Sequence, residues 1–148
     1  MKLNLPKYEF QIKENEKNLE IYDCIRRKYV ALTPEEQVRQ NFVRFITEER
    51  GYPVNFMNNE FTINQNGIKR RCDTVVFDKY ANPIMIIEYK APHIHITQDV
   101  FNQIYRYNLV LKVKYLIVSN GIDAYCCVVD YEKNKCSFVN GIPNYVDL

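Results

Sequence analysis

Apolar residues recur after residue 32 at the spacing of an amphipathic helix. They form one stripe, which consists of Val38, Phe42, Phe45 and Ile46. Thr33 precedes the stripe as a typical N-cap, and Pro34 suits the first helical position. Gly51 and Pro53 follow the stripe and predict the end of the helix. The pattern therefore predicts a first helix that begins at about residue 33 and ends before residue 51.

Shorter apolar runs, bounded by turn-forming residues, predict strands on either side of a second helix. The runs cover residues 54–57, 61–64, 68–78, 84–90, 114–119, 124–130 and 136–139. Thr97 is the expected N-cap of the second helix, which extends to about residue 111. This order predicts an α/β fold with a central mixed β-sheet flanked by helices. Residues 1–19 are expected to form an N-terminal extension and residues 20–148 one domain, while the run at 19–30 fits either a strand or a helix.

Length and composition are those of a single globular domain. The chain has 148 residues, of which 47% are apolar, and this is enough to build a core. The formal net charge of +2 is nearly neutral, so any contact with nucleic acid must come from a local basic patch. None of the four glycines is followed by lysine, which excludes a P-loop, and a dinucleotide-binding fingerprint is equally absent. We therefore expect no ATP-driven motor in this chain.

The cysteines and the first residues of the chain favour a reducing compartment. The five cysteines are odd in number and include no C-x-x-C pair. The N-terminus lacks the apolar segment of a secretion signal, and no stretch is apolar enough to span a bilayer. We therefore expect a cytoplasmic protein with free thiols and no membrane partner. Cys126 and Cys127 are interpreted as part of a strand core, since no cysteine has an evident histidine partner for nucleophilic chemistry.

The most informative feature is the end of the apolar run at residues 84–87. The run leads directly into an acid and a base, Glu88 and Lys90. Burial of charge is costly, so charged residues at the end of a buried strand usually have a function or a partner. Because side chains alternate along a strand, Glu88 and Lys90 share one face.

Hairpin register brings a second carboxylate to this face. If residues 79–82 form a four-residue loop, Asp78 faces Pro83, and counting outward sets Asp73 opposite Glu88. Two carboxylates this close repel each other unless a cation lies between them, and oxygen ligands suit Mg²⁺. A lysine on the same face can orient or help to deprotonate an attacking water. The alternative is the solvated face of an ordinary antiparallel hairpin, on which acids and bases alternate.

The two predicted helices offer supporting residues. Glu35 lies on the apolar stripe and is the preferred site residue, whereas Glu36 is expected to complete a capping box at the start of the helix. Arg39 is one turn from Glu35, and the two can also form an intrahelical ion pair. On the second helix Gln103 and Tyr107 share a face and can bind phosphate or position the carboxylates, with a polar helix edge as the alternative.

Together these residues resemble the PD-(D/E)XK nuclease superfamily and, more closely, the N-terminal nuclease domain of type I restriction enzyme R subunits. The matching stretches are TPEEQVRQ at 33–40, GYP at 51–53, RRCDTVVFD at 70–78, PIMIIEYKAP at 83–92, QIYRYN at 103–108 and YLIVSNG at 115–121. Each stretch is short, but six in the same order are fairly specific, and the resemblance covers about residues 20–140. It implies a restriction-endonuclease-like core.

The resemblance also implies an activity, the hydrolysis of phosphodiester bonds, most simply in DNA, with Mg²⁺ or Mn²⁺ as cofactor. The catalytic set that it implies is Asp73, Glu88, Lys90, Glu35 and Gln103. Within this set the metal ligands are Asp73, Glu88 and Glu35.

Contacts with nucleic acid are expected from Arg71, Arg39 and Tyr107. DNA is the expected partner, and association with other restriction or defence-system subunits or with a second copy of the chain stays open. The chain departs from the family pattern in having Cys72 rather than proline before Asp73, and it lacks the motor and assembly regions of the whole subunit. The domain therefore cuts alone, works with another chain, or is a catalytically silent nucleic-acid-binding module on the same fold.

Overall fold

The computed structural model describes residues 2–148, except for the side chains at 65, 68 and 107–109. The regular elements in chain order are β1 (Ile12–Glu14), β2 (Leu19–Asp23), β3 (Lys28–Ala31), α1 (Pro34–Glu49), β4 (Met57–Gln65), β5 (Ile68–Phe77), β6 (Pro83–Tyr89), α2 (Gln98–Asn108), β7 (Tyr115–Ser119), β8 (Ala124–Asp130) and β9 (Lys135–Val139). Short 3₁₀ turns cover Val54–Phe56, Leu109–Leu111 and Tyr145–Asp147. Within residues 2–148, no helix has both the length and the apolar character needed to cross a membrane.

Strands β4 to β9 form one six-stranded sheet in which the strand order follows the chain. Strands β6 and β7 pair in parallel, and α2 connects them, while the other described pairs in this sheet are antiparallel. Helix α1 packs on one face, where Phe42 lies in a cluster with Ile87. Helix α2 covers the other face, where Phe101 lies in a cluster with Ile86. The predicted α/β fold with a mixed sheet flanked by helices is confirmed.

The N-terminal part of the chain forms a second, three-stranded sheet in the order β1-β2-β3. The run at residues 19–30, which fitted a strand or a helix, is a hairpin of β2 and β3. The predicted boundary between residues 19 and 20 falls inside β2. Strand β1 of the expected extension pairs with β2, so the extension shares a sheet with the residues that follow it.

The sequence pattern is wrong about the number of strands before the Asn66-Gly67 turn. It predicts two strands at 54–57 and 61–64, whereas the structure has a 3₁₀ turn followed by one long strand, β4. Polar residues 58–60 interrupt the apolar pattern but continue the strand. Glu60, inside β4, has a φ of 57°, in the left-handed region that non-glycine residues rarely occupy.

The predicted register of the β5–β6 hairpin is correct along its centre and wrong at its loop. Thr74 pairs with Ile87, so the same register sets Asp73 opposite Glu88 as expected. At the loop end a bulge shifts the pairing, and Pro83 lies opposite Phe77 rather than Asp78.

The shift arises because the loop has five residues, 78–82, rather than four. The carboxylate of Asp78 accepts hydrogen bonds from the backbone N–H groups of Tyr80 at 2.8 Å and Asn82 at 2.9 Å. Ala81 adopts a φ of 64° to close the turn. A side chain that hydrogen-bonds the backbone two and four residues on takes Asp78 out of the ladder and into the loop.

Candidate active site

A backbone hydrogen bond brings the predicted acids and the lysine together. Oδ2 of Asp73 accepts the N–H of Tyr89 at 2.8 Å, and Tyr89 lies between Glu88 and Lys90 in the chain. The N–H of Lys90 donates to the carbonyl of Ser119 at 2.9 Å, so the neighbouring β7 holds the end of β6 in place. The carboxylate from β5 therefore lies at the C-terminal end of β6, next to Glu88 and Lys90 in the chain.

Beside this edge is a cleft of about 350 Å³ between the sheet and α2. Its described lining is Ile63, Arg70, Arg71, Cys72, Glu88, Lys90, Gln103 and Ile104. Gln103 reaches it from α2, and Arg71 stands at its mouth with 70% of its side chain exposed. Asp73 is not among the described lining residues, and its carboxylate accepts the N–H of Tyr89. The side chain of Tyr107 lies outside the described residues.

Glu35 is exposed, which corrects the expectation that it lies on the buried side of α1. Charges at the site nevertheless act on its carboxylate. Partial desolvation raises the pKa of Glu35, the negative charge of Asp73 raises it further, and the positive charges of Lys90 and Arg39 oppose the shift. Glu35 therefore lies at the margin of the site, near the charges of Asp73 and Lys90.

Glu36 is the buried acid of α1, with 6% of its surface exposed. Thr33 caps the helix as predicted, since its Oγ1 accepts the N–H of Glu36 at 3.1 Å. The capping-box role of the Glu36 side chain is not found. Its carboxylate instead accepts hydrogen bonds from Arg26, Arg39 and Gln40. Glu36 is thus a structural residue, as expected, but through buried guanidinium groups rather than through the helix N-terminus.

Arg39 is buried, so it offers little surface to the nucleic acid that it was predicted to bind. Only 6% of Arg39 is exposed, because it binds Glu36 and Glu60 on β4. Its Nη1 also donates to the backbone carbonyl of Asp73 at 3.0 Å. The expected ion pair with Glu35 is replaced by the pair with Glu36. Arg39 therefore supports the site from beneath.

Glu60 was missed by sequence reasoning and belongs to the surroundings of the site. Its Oε1 lies 2.7 Å from Nη2 of Arg39, and its Oε2 lies 3.5 Å from Nε of Arg71. The ladder pairs Asn59 with Thr74 and Phe61 with Cys72, so Glu60 lies in register opposite Asp73. In the sequence Glu60 follows two asparagines in an apparent gap between strands, and no motif marks it.

A buried chain of polar groups runs from the three-stranded sheet to the site. The amide of Asn59 donates to Asp23 at 2.9 Å, Thr74 donates to Asn59 at 2.6 Å, and the hydroxyls of Thr74 and Tyr89 lie 2.9 Å apart. Burial would raise the pKa of Asp23, but hydrogen bonds from Asn59 and Arg26 outweigh it and hold the pKa below its ordinary value. Tyr89, the residue whose N–H binds Asp73, is thus fixed at both its backbone and its hydroxyl.

Comparison with known proteins identifies the family to which this site belongs. Residues 34–143, well over half of the chain, match the family model described as type I restriction enzyme R protein N terminus. The chain belongs to this family. The matched range contains the whole six-stranded sheet and all the predicted catalytic residues. The stated resemblance to the N-terminal domain of type I restriction enzyme R subunits is therefore confirmed.

A solved structure supports the fold of this R-protein N-terminal domain. It is a fragment from Vibrio vulnificus YJ016, described as an HsdR subunit of a type I restriction enzyme, with a TM-score of 0.55 and 19% sequence identity. The similarity covers 76% of this chain but 24% of the other chain, so the domain corresponds to a minor part of a larger protein. No curated protein sequence matches the chain.

The donor groups at the edge of the sheet fit a hard divalent cation, with other ligands needed to complete its shell. Asp73 and Glu88 offer carboxylate oxygens, which such cations prefer. Among the described residues, no three His, Cys, Asp or Glu side chains are grouped closely enough to hold a metal ion by themselves. Glu35 therefore does not complete a three-carboxylate site in this geometry. Mg²⁺ commonly binds through one or two carboxylates together with waters and substrate phosphate, and the residues fit that mode.

Cysteine chemistry has no place at this site. Cys126 and Cys127 are buried in β8, and burial raises the pKa of Cys126 to about 12. Burial and then the charges of Glu88 and Asp73 likewise raise the pKa of Cys72 to about 12. At neutral pH these thiols stay protonated and are poor nucleophiles.

Proposed function

We propose that this R-protein N-terminal domain is a metal-dependent nuclease that hydrolyses phosphodiester bonds in DNA. One observation carries the proposal, namely the hydrogen bond from the N–H of Tyr89 to Asp73. It holds the carboxylate of Asp73 at the backbone between Glu88 and Lys90, two residues that line an open cleft. Two carboxylates held close together repel each other unless a cation lies between them, which supports a metal at this position.

Each residue has a role that its position allows. Asp73 and Glu88 would hold Mg²⁺ or Mn²⁺, which when bound lowers the pKa of the attacking water and stabilises charge developing on the phosphate. Lys90 faces the same cleft and would orient the water or bind a phosphate oxygen. Gln103 would position the substrate from α2.

Arg71 is the residue best placed to attract DNA. Its side chain is 70% exposed at the mouth of the cleft, and its guanidinium forms a long, solvent-accessible ion pair with Glu60. Such a pair is weak in water, so a DNA phosphate can replace it at little cost. Because the chain belongs to the R-protein N-terminal family, we also propose that it works together with other subunits of a restriction system.

Nuclease activity is tested by incubating the protein with duplex, single-stranded and branched DNA and with RNA, with and without Mg²⁺ or Mn²⁺. The decisive variant is Lys90→Ala. General acid–base catalysis and charge stabilisation typically contribute about 10²–10⁴-fold, so we expect a loss of at least about 100-fold in cleavage rate. The preferred substrate in the panel then identifies the nucleic acid.

Lys79→Ala is the matched control, because Lys79 is an exposed lysine in the loop at the other end of the same hairpin. It should cleave at the wild-type rate. If the wild-type protein binds DNA but cleaves none of the substrates with either metal, the alternative of a catalytically silent binding module replaces this proposal. A Lys90→Ala variant as active as the wild type would refute the assigned site even if cleavage is observed.

A further inference from the structure

Glu60 combines an unusual backbone with an unusual set of contacts. Its φ of 57° lies in the left-handed region, although it sits inside a nine-residue strand. Such outliers persist only where the surroundings hold them, and they concentrate at functional sites. The outlier here lies in register with Asp73, the acid that the proposed function needs most.

The carboxylate of Glu60 joins two guanidinium groups that differ in environment. On one side it binds Arg39, whose side chain is 8% exposed, at a distance of 2.7 Å. On the other it lies 3.5 Å from Arg71, whose side chain is 70% exposed and lines the cleft. Each carboxylate oxygen therefore faces a different cation.

Arg39 contacts both Glu60 and the backbone of Asp73. Its Nη1 donates to the Asp73 carbonyl at 3.0 Å, while Nη2 binds Glu60 and Glu36. A planar guanidinium keeps its donors in a fixed geometry, so placing Nη2 also places Nη1. The Asp73 backbone is thereby held by Arg39, and its side chain by the N–H of Tyr89.

We propose that Glu60 is a positioning residue for Asp73, acting through Arg39. The inference rests on the proposed function, because it assigns to Glu60 the placement of a catalytic carboxylate. Without the Glu60 charge, Arg39 keeps its Nε and Nη2 contacts with Glu36 on its own helix but loses its carboxylate partner on β4, so the guanidinium can shift with α1 relative to the Asp73 carbonyl. The Asp73 carboxylate then loses the orientation in which it accepts the N–H of Tyr89.

Two substitutions separate the carboxylate of Glu60 from its backbone conformation. Glu60→Gln keeps the size and the left-handed backbone but removes the charge. Glu60→Gly removes the side chain and relieves the strain, since glycine adopts a positive φ freely, so this variant folds even if the first is unstable. Glu48→Gln is the matched control, because Glu48 is an exposed α1 glutamate paired with Arg44 at 3.5 Å.

The first measurement does not depend on activity. Hydrogen exchange of the Tyr89 amide, followed by NMR in metal-free protein, reports the hydrogen bond to Asp73 directly. We expect exchange to be about 10-fold faster in both Glu60 variants, with the Ile87 amide on the same strand unchanged and Glu48→Gln equal to the wild type.

The second measurement is functional. Partners that orient metal ligands typically contribute about 10–100-fold to metal affinity or activity, so both Glu60 variants should bind Mn²⁺ at least about 10-fold more weakly. They should also show a lower kcat with little change in the KM for DNA, since Arg71 remains at the cleft. A residue that served only overall stability would leave this split and the Mn²⁺ affinity of the folded protein unchanged.

The outcomes distinguish the two proposals. If wild-type protein binds Mn²⁺ and cleaves DNA, but the folded Glu60 variants keep Tyr89 protection and Mn²⁺ affinity, the positioning role is refuted and the nuclease stands. If the wild type neither binds metal nor cleaves, the nuclease proposal fails, and Tyr89 exchange alone decides whether Glu60 places Asp73. A loss in Glu60→Gln but not in Glu60→Gly would assign the effect to backbone strain and refute the role of the carboxylate.

Discussion

The adjacent acids Glu35 and Glu36 provide a sharp test of how α1 is held. The same change, Glu to Gln, is made at both positions, and the two differ in environment. Glu36 is buried and accepts four hydrogen bonds, from Arg26, twice from Arg39, and from Gln40. Glu35 is exposed, and its carboxylate accepts none of the side-chain hydrogen bonds that hold Glu36.

The expected loss for Glu36→Gln follows from its partners. Removing one member of a buried ion pair costs about 3–5 kcal/mol because a charge is left without compensation. In the variant Arg26 still pairs with Asp23, and Arg39 still pairs with Glu60. We therefore expect a loss of about 3 kcal/mol in the free energy of unfolding, at the lower end of this range. For Glu35→Gln, solvent screening keeps the change within about 0.5 kcal/mol.

Urea unfolding followed by circular dichroism measures both free energies. With an m-value of about 2 kcal/mol/M, the midpoint of Glu36→Gln should fall by about 1.5 M, while Glu35→Gln stays near the wild type. A loss below about 1 kcal/mol for Glu36→Gln would show that the buried network does not depend on this carboxylate. Equal losses at both positions would refute the assignment of Glu36 as the buried acid.

Three further predictions concern the site. Mg²⁺ or Mn²⁺ at about 100 times its Kd should stabilise the wild type and Lys90→Ala by about 2.7 kcal/mol in a thermal-shift assay, and Asp73→Asn should lose most of this effect. The pKa of Glu35 is raised in the folded state, so its contribution to stability is complete below its unfolded pKa and is lost as pH rises through the folded pKa. Glu35→Gln should therefore be slightly more stable than the wild type at pH 7 but not at pH 4, as measured by Tm against pH. Arg71→Gln should weaken DNA binding and reduce the magnitude of the slope of log K against the logarithm of salt concentration by about 1. An unchanged slope would show that Arg71 does not contact a DNA phosphate.

Elements with a strong local signal could be predicted from the sequence. The helix starting after Thr33 and the hairpin turn at Asn66-Gly67 depend on residues that act on their own neighbours. The central register of the β5–β6 hairpin followed from counting alone, and it placed Asp73 and Glu88 together. The register failed at Asp78, where a side chain competed with the ladder for backbone hydrogen bonds.

Only one of the two buried sides of α1 could be predicted from its sequence, because two parts of the fold cover the helix. The apolar stripe identifies the side that packs on the six-stranded sheet and placed Glu35 on it. The hairpin of β2 and β3 covers a second flank through Arg26, which binds Glu36 from ten residues away in the chain. No periodicity within the helix reveals such a partner, so the pattern predicted Glu35 rather than Glu36 as the acid on the buried side of α1.

The charged network beneath the site is better explained by geometry than by stability. Its members alternate in sign and comprise Asp23, Arg26, Glu36, Arg39 and Glu60. Buried ion pairs are often no more stabilising than apolar residues of the same volume, because desolvation offsets their attraction. What an apolar replacement could not supply is a directional donor to the Asp73 carbonyl, which Arg39 provides at 3.0 Å. The network is therefore expected where one backbone carbonyl must be held in a fixed place, and that carbonyl belongs to the residue on which the proposed chemistry depends.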